Sequence, residues 1–275
     1  MTIVETLHDG RVGLSKPTHL AMLPDMPLRA VVFDLFDTLV DLRFEDLPHI
    51  EHDGRRLPAS AQLVHAAIGE SAEIEFSDYV LAERAVHEAL AAPRYKEGRE
   101  VPTHERFTAV LAELGVQAPD LPARLTDIHM GALHAAVRVP PHHEDLLAAL
   151  HEQVRLGLCS NFSHSPTAHR VLDESGLGAH LDALVVSDAV GWRKPRREIF
   201  EVVLGQLGVA PDEVLHVGDN LSADIAGAAA VGLRTAWVTR RVREPEERLG
   251  KHEGPAPDFV VADLAELCDL IDRAG

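Results

Sequence analysis

Two kinds of hydrophobic pattern divide the chain. A short apolar run at residues 30–33 predicts a buried strand. Helical periodicity then dominates residues 44–140, and in residues 103–114 the apolar positions recur three and four apart, which is typical of a helix with one buried face. The pattern predicts helices over residues 60–69, 77–92, 103–114 and 122–137.

The rest of the chain, from about residue 144, alternates short apolar runs with helical segments. The apolar runs predict strands over residues 154–159, 183–186, 214–217, 235–238 and 259–261. Helices are predicted between them, near residues 165–175, 196–207, 221–231 and 263–272. Short apolar strands separated by helices are typical of a parallel sheet that helices cover on both faces. We therefore predict an α/β fold with a doubly wound, Rossmann-like core.

The helical segment interrupts this core between its first and second strands. A segment of that length is too long for a loop in a compact domain, so we predict a separate all-helical domain there. The first 27 residues contain three prolines and no sustained periodicity. The predicted division is an N-terminal extension at residues 1–27, a core formed by residues 28–43 and 141–275, and a helical domain at residues 44–140.

The acidic composition restricts the partners of the protein. The chain has 44 acidic and 26 basic residues, so its formal net charge is -18. A charge of that sign repels nucleic acid and anionic membranes, whereas a small anionic substrate can still bind where local positive groups meet it. We therefore expect a small-molecule substrate, with no nucleic-acid partner and no membrane partner. The pattern does not set the oligomeric state, and a homodimer stays open.

Cysteine and histidine usage adds two expectations. Cys159 and Cys268 stand far apart without metal-ligand spacing, which disfavours disulfides and fits the reducing cytoplasm. No apolar run approaches the length of a membrane span, and residues 1–13 lack the basic start and apolar core of a secretory signal. His142 and His143 are adjacent, but no ligand spacing surrounds them, so we predict a helix start there and no dedicated histidine metal site.

Polar groups follow the predicted strands at the edge where a ligand site is expected. In sheets of this kind the site lies outside the carboxyl ends of the strands. Four strand ends supply a carboxylate, a hydroxyl with an amide, an ammonium, and an acidic pair. These are Asp34, then Ser160 and Asn161, then Lys194, then Asp219 and Asp224. We predict that these groups meet at one rim of the sheet.

This set of groups suits the transfer of a phosphoryl group. A carboxylate such as Asp34 can attack phosphorus and form a covalent intermediate. A hydroxyl and an ammonium, here Ser160 and Lys194, can hold the charged oxygens of the transferred group. Three carboxylates at one rim repel one another unless a cation lies among them. Because Mg²⁺ takes carboxylates, waters and phosphate oxygens as ligands, we predict Mg²⁺ as the cofactor.

Four segments of the chain resemble motifs of the haloacid dehalogenase-like hydrolase superfamily. They are VVFDLFDTLVD, LGLCSNF, SDAVGWRKPRREIF and VLHVGDNLSADIAGAAAVGLRTAWV, and they occur in the family's order. The resemblance covers the whole core, from about residue 28 to 43 and from about 141 to 270. The inserted helices match the helical cap of the family, so we refer to residues 44–140 as the cap.

The resemblance implies roles for the rim residues. It makes Asp34 the nucleophile, and it makes Ser160 and Asn161 binding residues for the transferred group. Lys194 steadies the charge of the nucleophile and of the phosphate. The implied Mg²⁺ ligands are Asp34, the backbone carbonyl of Phe36, Asp219 and Asp224.

Phe36 is where the chain departs from the phosphatases of the family. Those enzymes usually carry a second aspartate at this position, which serves as general acid to the leaving oxygen and then as base for water. Phenylalanine can do neither, and such acid–base help is worth roughly 10²–10⁴ in rate. Asp37 is not a replacement, because its side chain is predicted to point elsewhere.

Two kinds of reaction avoid the need for this acid. Halide leaves without a proton, and dehalogenases of the family carry an aromatic residue at the position of Phe36. The other route keeps a phosphorylated substrate. Either that substrate is activated, or the cap or the substrate itself supplies the acid. Phosphonate-cleaving relatives also lack the aspartate and still use Mg²⁺.

The acidic pair favours a phosphorylated substrate. Dehalogenases of the family work without metal and usually lose the Gly-Asp pair that this chain keeps at Gly218 and Asp219. We therefore predict a Mg²⁺-dependent hydrolase that acts on a small phosphorylated metabolite through an aspartyl-phosphate intermediate. The alternatives are a 2-haloacid dehalogenase with an aspartyl-ester intermediate, a phosphonate hydrolase and a non-catalytic binding module.

Overall fold

The computed structural model describes residues 28–272, so the predicted N-terminal extension at residues 1–27 lies outside the described residues. In chain order, the strands are β1 (Ala30–Phe33), β2 (Asp41–Leu42), β3 (His49–His52), β4 (Arg55–Pro58), β5 (Val137–Arg138), β6 (Arg155–Ser160), β7 (Ala183–Val186), β8 (Val214–Gly218), β9 (Arg234–Val238) and β10 (Phe259–Val261).

The α-helices follow the same order along the chain. They are α1 (Ser60–Gly69), α2 (Phe76–Val86), α3 (Ala92–Lys96), α4 (Thr103–Glu113), α5 (Leu121–Ala135), α6 (His143–His151), α7 (Ser165–Glu174), α8 (Ser187–Val190), α9 (Arg197–Leu207), α10 (Gly227–Ala230), α11 (Pro245–Gly250) and α12 (Glu266–Asp272). The predicted strands of the core agree with the observed ones to within one residue at each end. The helix start predicted at the adjacent histidines is the start of α6.

Six parallel strands form the central sheet, in the order β10-β9-β8-β1-β6-β7. β1 lies in the middle, where Val32 pairs with Gly157 of β6 on one side and with His216 of β8 on the other. The chain runs outward from β1 to β7 and then returns to β8 on the opposite side of β1. The strand order therefore reverses at β1, and a ligand crevice is expected at the carboxyl end of that strand.

Alternate residues of β1 pack on opposite faces of the sheet, because successive side chains of a strand point to opposite sides. Val31 and Phe33 belong to one apolar cluster, which also contains residues of α6, α7 and α12. Ala30 and Val32 belong to a second cluster, formed mainly with α9. Both faces of the sheet are covered, so the prediction of a doubly wound α/β core is confirmed.

The cap has its own apolar core. Helices α1, α2, α4 and α5 contribute buried residues to one cluster, in which Phe107 and Leu125 are fully buried. The single helix predicted over residues 77–92 is divided in the structure. A π-helical segment at His87–Ala91 separates α2 from α3, and Pro93 in the first turn of α3 has no N–H for a helical hydrogen bond.

A β-hairpin in the cap was missed by the prediction of an all-helical insert. Strands β3 and β4 pair antiparallel, and the turn between them is Asp53-Gly54, with φ of 47° and 69°. An Asp-Gly pair is a strong signal for such a turn, because both of its positions need positive φ. The flanking residues are mostly polar or charged and do not alternate, so the hydrophobic pattern did not indicate strands there.

Two short strands join the cap to the core. β2 carries the chain out of the core, β5 carries it back, and the two pair antiparallel through Asp41 with Arg138 and Leu42 with Val137. The boundaries that the sequence predicts, near residues 43 and 141, lie next to this pair and stay a prediction. Within residues 28–272, no helix has both the length and the apolar character that crossing a membrane requires.

Candidate active site

The predicted rim residues meet at the carboxyl edge of the sheet, on both sides of the switch point. Asp34 follows the last residue of β1, and Ser160 is the last residue of β6. Asp219 follows β8, and its backbone carbonyl accepts a hydrogen bond from Trp237 Nε1 at 2.7 Å. Lys194 comes from the loop after α8. Parallel strands end at one edge, and this places groups that are distant in sequence together.

Lys194 is the centre of this arrangement. Its Nζ atom donates to Asp34 Oδ1 at 2.6 Å and to the Cys159 carbonyl at 2.5 Å, and it lies 2.6 Å from Asp224 Oδ1. The side chain is almost fully buried. Burial alone would lower the pKa of Lys194, but Asp224 and Asp34 outweigh it and hold that pKa above its ordinary value. Lys194 is therefore a permanent buried cation between two carboxylates.

Asn161 holds the backbone of Lys194. Its Oδ1 accepts the backbone N–H of Lys194 at 2.7 Å, and its Nδ2 donates to the carbonyl of the same residue at 3.0 Å. This two-point contact fixes the loop that carries the ammonium. The structure thus gives Asn161 a positioning task, and its predicted contact with the transferred group stays a prediction.

Asp224 is buried, and both of its carboxylate oxygens have protein partners. Its Oδ1 is 3.1 Å from Nε2 of His216, and its Oδ2 accepts the backbone N–H of Asn220 at 3.0 Å. Burial would raise the pKa of Asp224, but Lys194 and His216 together hold it well below its ordinary value. A Cβ atom added to Gly218 would come within 2.3 Å of the Asp224 carboxyl carbon, so only glycine allows this close approach.

His216 was missed by the sequence prediction. It lies within β8, is fully buried, and contacts Asp224. The available signal was a single histidine inside an otherwise apolar strand, two residues before the Gly-Asp pair. Such a polar residue in a buried strand needs a hydrogen-bond partner, which the pattern alone could not identify.

Carboxylate oxygens of Asp34, Asp219 and Asp224 lie within 4.8 Å of one another. Burial, together with the repulsion of Asp34 and Asp224, raises the pKa of Asp219 to about 8. Burial and the repulsion of Asp224 likewise raise the pKa of Asp34 to about 6, although Lys194 opposes the change. Three carboxylates around one ammonium leave an excess of negative charge. An all-oxygen set of this kind fits a hard divalent cation such as Mg²⁺.

The Ser160 hydroxyl is available for a ligand. The residue is 1% exposed, and its Oγ atom has no hydrogen-bond partner among residues 28–272. Buried hydroxyls in folded proteins are nearly always paired, so an unpaired one at this edge of the sheet is a candidate contact for a substrate oxygen.

The ring of Phe36 packs beside the site. Its centroid is 4.7 Å from that of Phe162, and Leu133 and Val137, next to the cap junction, belong to the same apolar cluster. The next residue, Asp37, has positive φ, and its Oδ1 accepts hydrogen bonds from Arg241 Nε at 2.9 Å and from the backbone of Leu42 at 3.2 Å. The carboxylate of Asp37 is thus engaged with Arg241 and with the backbone of Leu42.

A loop of the cap contacts the loop that carries Lys194, and the sequence prediction missed this contact as well. Glu100 of the cap is buried, and its carboxylate accepts hydrogen bonds from Ser187 Oγ and from the Arg193 guanidinium. Arg193 also lies 4.6 Å from the centre of the Tyr95 ring. Because Arg193 directly precedes Lys194, these contacts tie the position of the cap to the position of the ammonium.

The fold and this rim of groups define a hydrolase with a doubly wound α/β core and an inserted cap. The chain belongs to the haloacid dehalogenase-like hydrolase family, whose sequence model matches residues 28–232. The resemblance noted in the four sequence motifs is thereby confirmed.

Similar proteins include several phosphatases. The chain is 31% identical over 257 residues to the phosphoserine phosphatase of Thermus thermophilus, covering 87% of this chain and 98% of that protein. It is 33% identical over 170 residues to the pyrimidine 5'-nucleotidase YjjG of Escherichia coli, covering 61% of this chain and 70% of that protein.

The fold is also similar to that of solved structures, among them a dehalogenase. A 2-haloacid dehalogenase from Pseudomonas syringae superposes with a TM-score of 0.65 at 19% identity, covering 90% of this chain and all of the other (100%). YfnB from Bacillus subtilis, solved bound to magnesium, superposes with a TM-score of 0.56 at 24% identity, covering 90% and 99% of the two chains. At such identities the likeness shows the fold alone.

Proposed function

We propose that the protein is a Mg²⁺-dependent phosphatase of small phosphorylated metabolites that works through an aspartyl-phosphate intermediate. The observation that carries the proposal is the cluster of Asp34, Asp219 and Asp224 oxygens within 4.8 Å of one another, with Lys194 among them. A site of three carboxylates needs a cation, and a cation beside a nucleophile suits a phosphate substrate. The similarity to phosphatases over most of the chain supports the same reaction class.

Asp34, Asp219 and Asp224 would hold the ion, and the Phe36 carbonyl is the further ligand that the family resemblance implies. Bound there, Mg²⁺ supplies positive charge that offsets the charge of the phosphate oxygens and of the nucleophile.

Asp34 is the attacking group. Lys194 holds its Oδ1, which leaves Oδ2 to form a bond to phosphorus while the bond from phosphorus to the leaving oxygen breaks. The ammonium of Lys194 and the hydroxyl of Ser160 stabilise the phosphoryl oxygens as their charge is redistributed. Water then attacks phosphorus, the bond from phosphorus to Asp34 Oδ2 breaks, and the protons of the water leave with the released phosphate.

The leaving group receives no proton from position 36, because Phe36 is an apolar ring packed against Phe162. Esters with poor leaving groups are therefore expected to react slowly unless the cap or the substrate supplies a proton. Acyl phosphates and other activated substrates avoid the difficulty, because their leaving groups depart as stable anions.

Dehalogenation of a 2-haloacid is the second candidate, and the aromatic contact between Phe36 and Phe162 favours it. Halide needs no proton when it leaves, and apolar rings suit a halogenated carbon. The buried acidic cluster disfavours dehalogenation, because three neighbouring carboxylates repel one another and a reaction without a cation leaves that repulsion uncompensated.

A paired product-release assay distinguishes the two reactions. One arm measures phosphate released from p-nitrophenyl phosphate and from acetyl phosphate, with Mg²⁺ and with EDTA. The other arm measures halide released from 2-haloacids. Both arms include Asp34→Asn and, as a matched control, Asp37→Asn, whose carboxylate pairs with Arg241.

We expect Mg²⁺-dependent phosphate release that Asp34→Asn lowers by at least about 10³-fold and Asp37→Asn changes little. Metal-independent halide release would overturn the proposal in favour of dehalogenation. Inactivity in both arms, together with a thermal stability that Mg²⁺ does not change, would instead favour a non-catalytic module.

A further inference from the structure

A cavity in the cap has the size and lining of a small-molecule site. Its volume is about 340 Å³, and it lies between the β3–β4 hairpin and helices α1, α2, α4 and α5. Apolar walls come from Leu57, Pro58, Ala61 and Val80. Pockets of this size with mostly apolar walls and a few polar groups are typical of ligand sites.

The polar groups of the cavity include three arginines, Arg55, Arg84 and Arg106, of which Arg84 pairs with Glu88. Arginine and histidine side chains supply most of them, and Glu83 is the one acid in the lining. The Glu83 carboxylate accepts a hydrogen bond from the Tyr79 hydroxyl at 3.2 Å. Positive charge without a matching set of carboxylates favours an anionic occupant.

Arg106 is the group in this cavity that most needs a partner. The residue is partly buried, and its Nε atom is buried without a hydrogen-bond partner among residues 28–272. No carboxylate in that part of the chain lies within ion-pair distance of it, whereas Arg94 and Arg124 of the cap are paired with Glu105 and Glu70. A buried guanidinium nitrogen without a hydrogen-bond acceptor is costly, and the planar guanidinium matches a carboxylate.

His129 does not add a second charge. Its Nε2 atom is 3.4 Å from Arg106 Nη2, and burial together with the arginine lowers the pKa of His129 to about 4. The imidazole is therefore neutral near pH 7 and can accept a hydrogen bond from Arg106. The guanidinium of Arg106 is therefore the charged group of this pair at neutral pH.

We infer that the cap cavity binds a small organic carboxylate, with its acid group on Arg106 and its apolar body against Leu57, Pro58 and Val80. The carboxylate comes either from the far end of the substrate or from a separate ligand. The first source rests on the proposed function, whereas the binding itself does not.

A path of contacts connects this cavity with the core. Arg106 lies one helical turn after Thr103, the first residue of α4. The Thr103 hydroxyl is 2.8 Å from the Ser163 hydroxyl of the core, and the backbone N–H of Thr103 donates to the Ser163 carbonyl at 2.9 Å. A ligand in the cavity therefore contacts α4, and the first turn of the same helix contacts the core.

Calorimetric titration with benzoate in EDTA tests the binding directly. Benzoate carries one carboxylate on an apolar ring, and benzamide is its neutral isostere. We expect benzoate to bind wild type and benzamide not to bind. Arg106→Met should weaken benzoate binding at least tenfold, and so should Ala61→Trp, which fills the cavity without removing charge. Arg124→Met is the matched control, because Arg124 pairs with Glu70 outside the cavity, and it should bind benzoate as wild type does.

The proposal is overturned if wild type does not bind benzoate, or if Arg106→Met and Ala61→Trp both bind it unchanged. A second arm compares hydrolysis of 4-carboxyphenyl phosphate and phenyl phosphate. A tenfold rise in KM for the carboxylated ester alone in Arg106→Met identifies the substrate as the source. Unchanged KM for both esters, with benzoate binding still lost, identifies a separate ligand. Hydrolysis of neither ester, together with no phosphate release from acetyl phosphate and with benzoate binding intact, removes the proposed function and leaves the carboxylate site.

Discussion

The Nζ atom of Lys194 lies 2.6 Å from Oδ1 of Asp34, although 160 residues separate the two in sequence. The same ammonium lies 2.6 Å from Asp224, so one buried cation supports two buried anions. Asn161 holds the backbone of the Lys194 loop by hydrogen bonds, and Glu100 of the cap accepts a hydrogen bond from Arg193 of the same loop. The nucleophile and Asp224 thus share one ammonium, and the residue before it in sequence joins the same loop to the cap.

Lys194→Met is expected to destabilise the fold as well as the site. Without the ammonium, Asp34 and Asp224 are left buried and uncompensated, which costs about 3–5 kcal/mol of the free energy of unfolding. Urea denaturation measures the loss. Lys251→Met is the matched control, since Lys251 is exposed, pairs with Glu247 and should matter little. A Lys194→Met protein as stable as wild type would contradict the assigned charge balance.

Ser160→Ala should separate binding from stability. The hydroxyl is unpaired, so its removal is expected to change the free energy of unfolding by less than about 0.5 kcal/mol. Loss of one donor to the phosphoryl oxygens should lower kcat/KM by about 10–10³-fold. Ser163→Ala is the control, because that hydroxyl contacts Thr103 and should affect stability more than turnover. Equal kcat/KM in Ser160→Ala and wild type would remove Ser160 from the site.

Relative to Asp219→Asn, the metal-free wild type should lose stability as the pH rises toward 8. Asp219 has a folded-state pKa of about 8, above the ordinary aspartate value of 3.8, so the folded state binds the proton more tightly than the unfolded state does. The resulting stabilisation is present at low pH and is lost as the pH approaches 8.

Between pH 6 and pH 8, this loss is expected to be about 1–3 kcal/mol in EDTA. Asp34, with a pKa of about 6, contributes mainly below that window. The comparison with Asp219→Asn isolates this contribution, because buried histidines with lowered pKa values, such as His129 and His143, titrate alike in both proteins. Saturating Mg²⁺ should restore the stability of wild type at pH 8 but not raise that of the variant. Urea denaturation at each pH measures both effects. If the free energies of unfolding of the two metal-free proteins change with pH in parallel, the assignment is refuted.

Phe36→Asp tests whether the missing acid limits the reaction. We expect the variant to raise the ratio of kcat/KM for glycerol 2-phosphate to that for acetyl phosphate by about 10–10²-fold, because only the first leaving group needs a proton. Phe36→Asn is the matched control, since it removes the same ring contact with Phe162 and cannot donate a carboxyl proton. If the two variants change the ratio equally, proton supply at position 36 does not limit turnover.

Much of the core could be predicted from local patterns. The bounds of β1, β7 and β10 agree with the apolar runs at residues 30–33, 183–186 and 259–261. All four residues of β1 are buried, and a strand covered on both faces is apolar throughout. The edge strands β7 and β10 are apolar as well, although Leu184 and Val260 are exposed. The hairpin at residues 49–58 could not be found in this way, since its exposed strands carry polar residues on both faces. Its Asp53-Gly54 turn was the remaining signal.

The sequence by itself determined which groups end the strands and in what order they follow, since apolar runs and the polar residues after them are local properties. Only the tertiary structure decided that β1 lies between β6 and β8, that His216 contacts Asp224, and that Glu100 reaches across from the cap. It also decided that Arg106 stays without a carboxylate partner among the described residues. These relationships depend on which distant segments pack together, and no single segment carries that information.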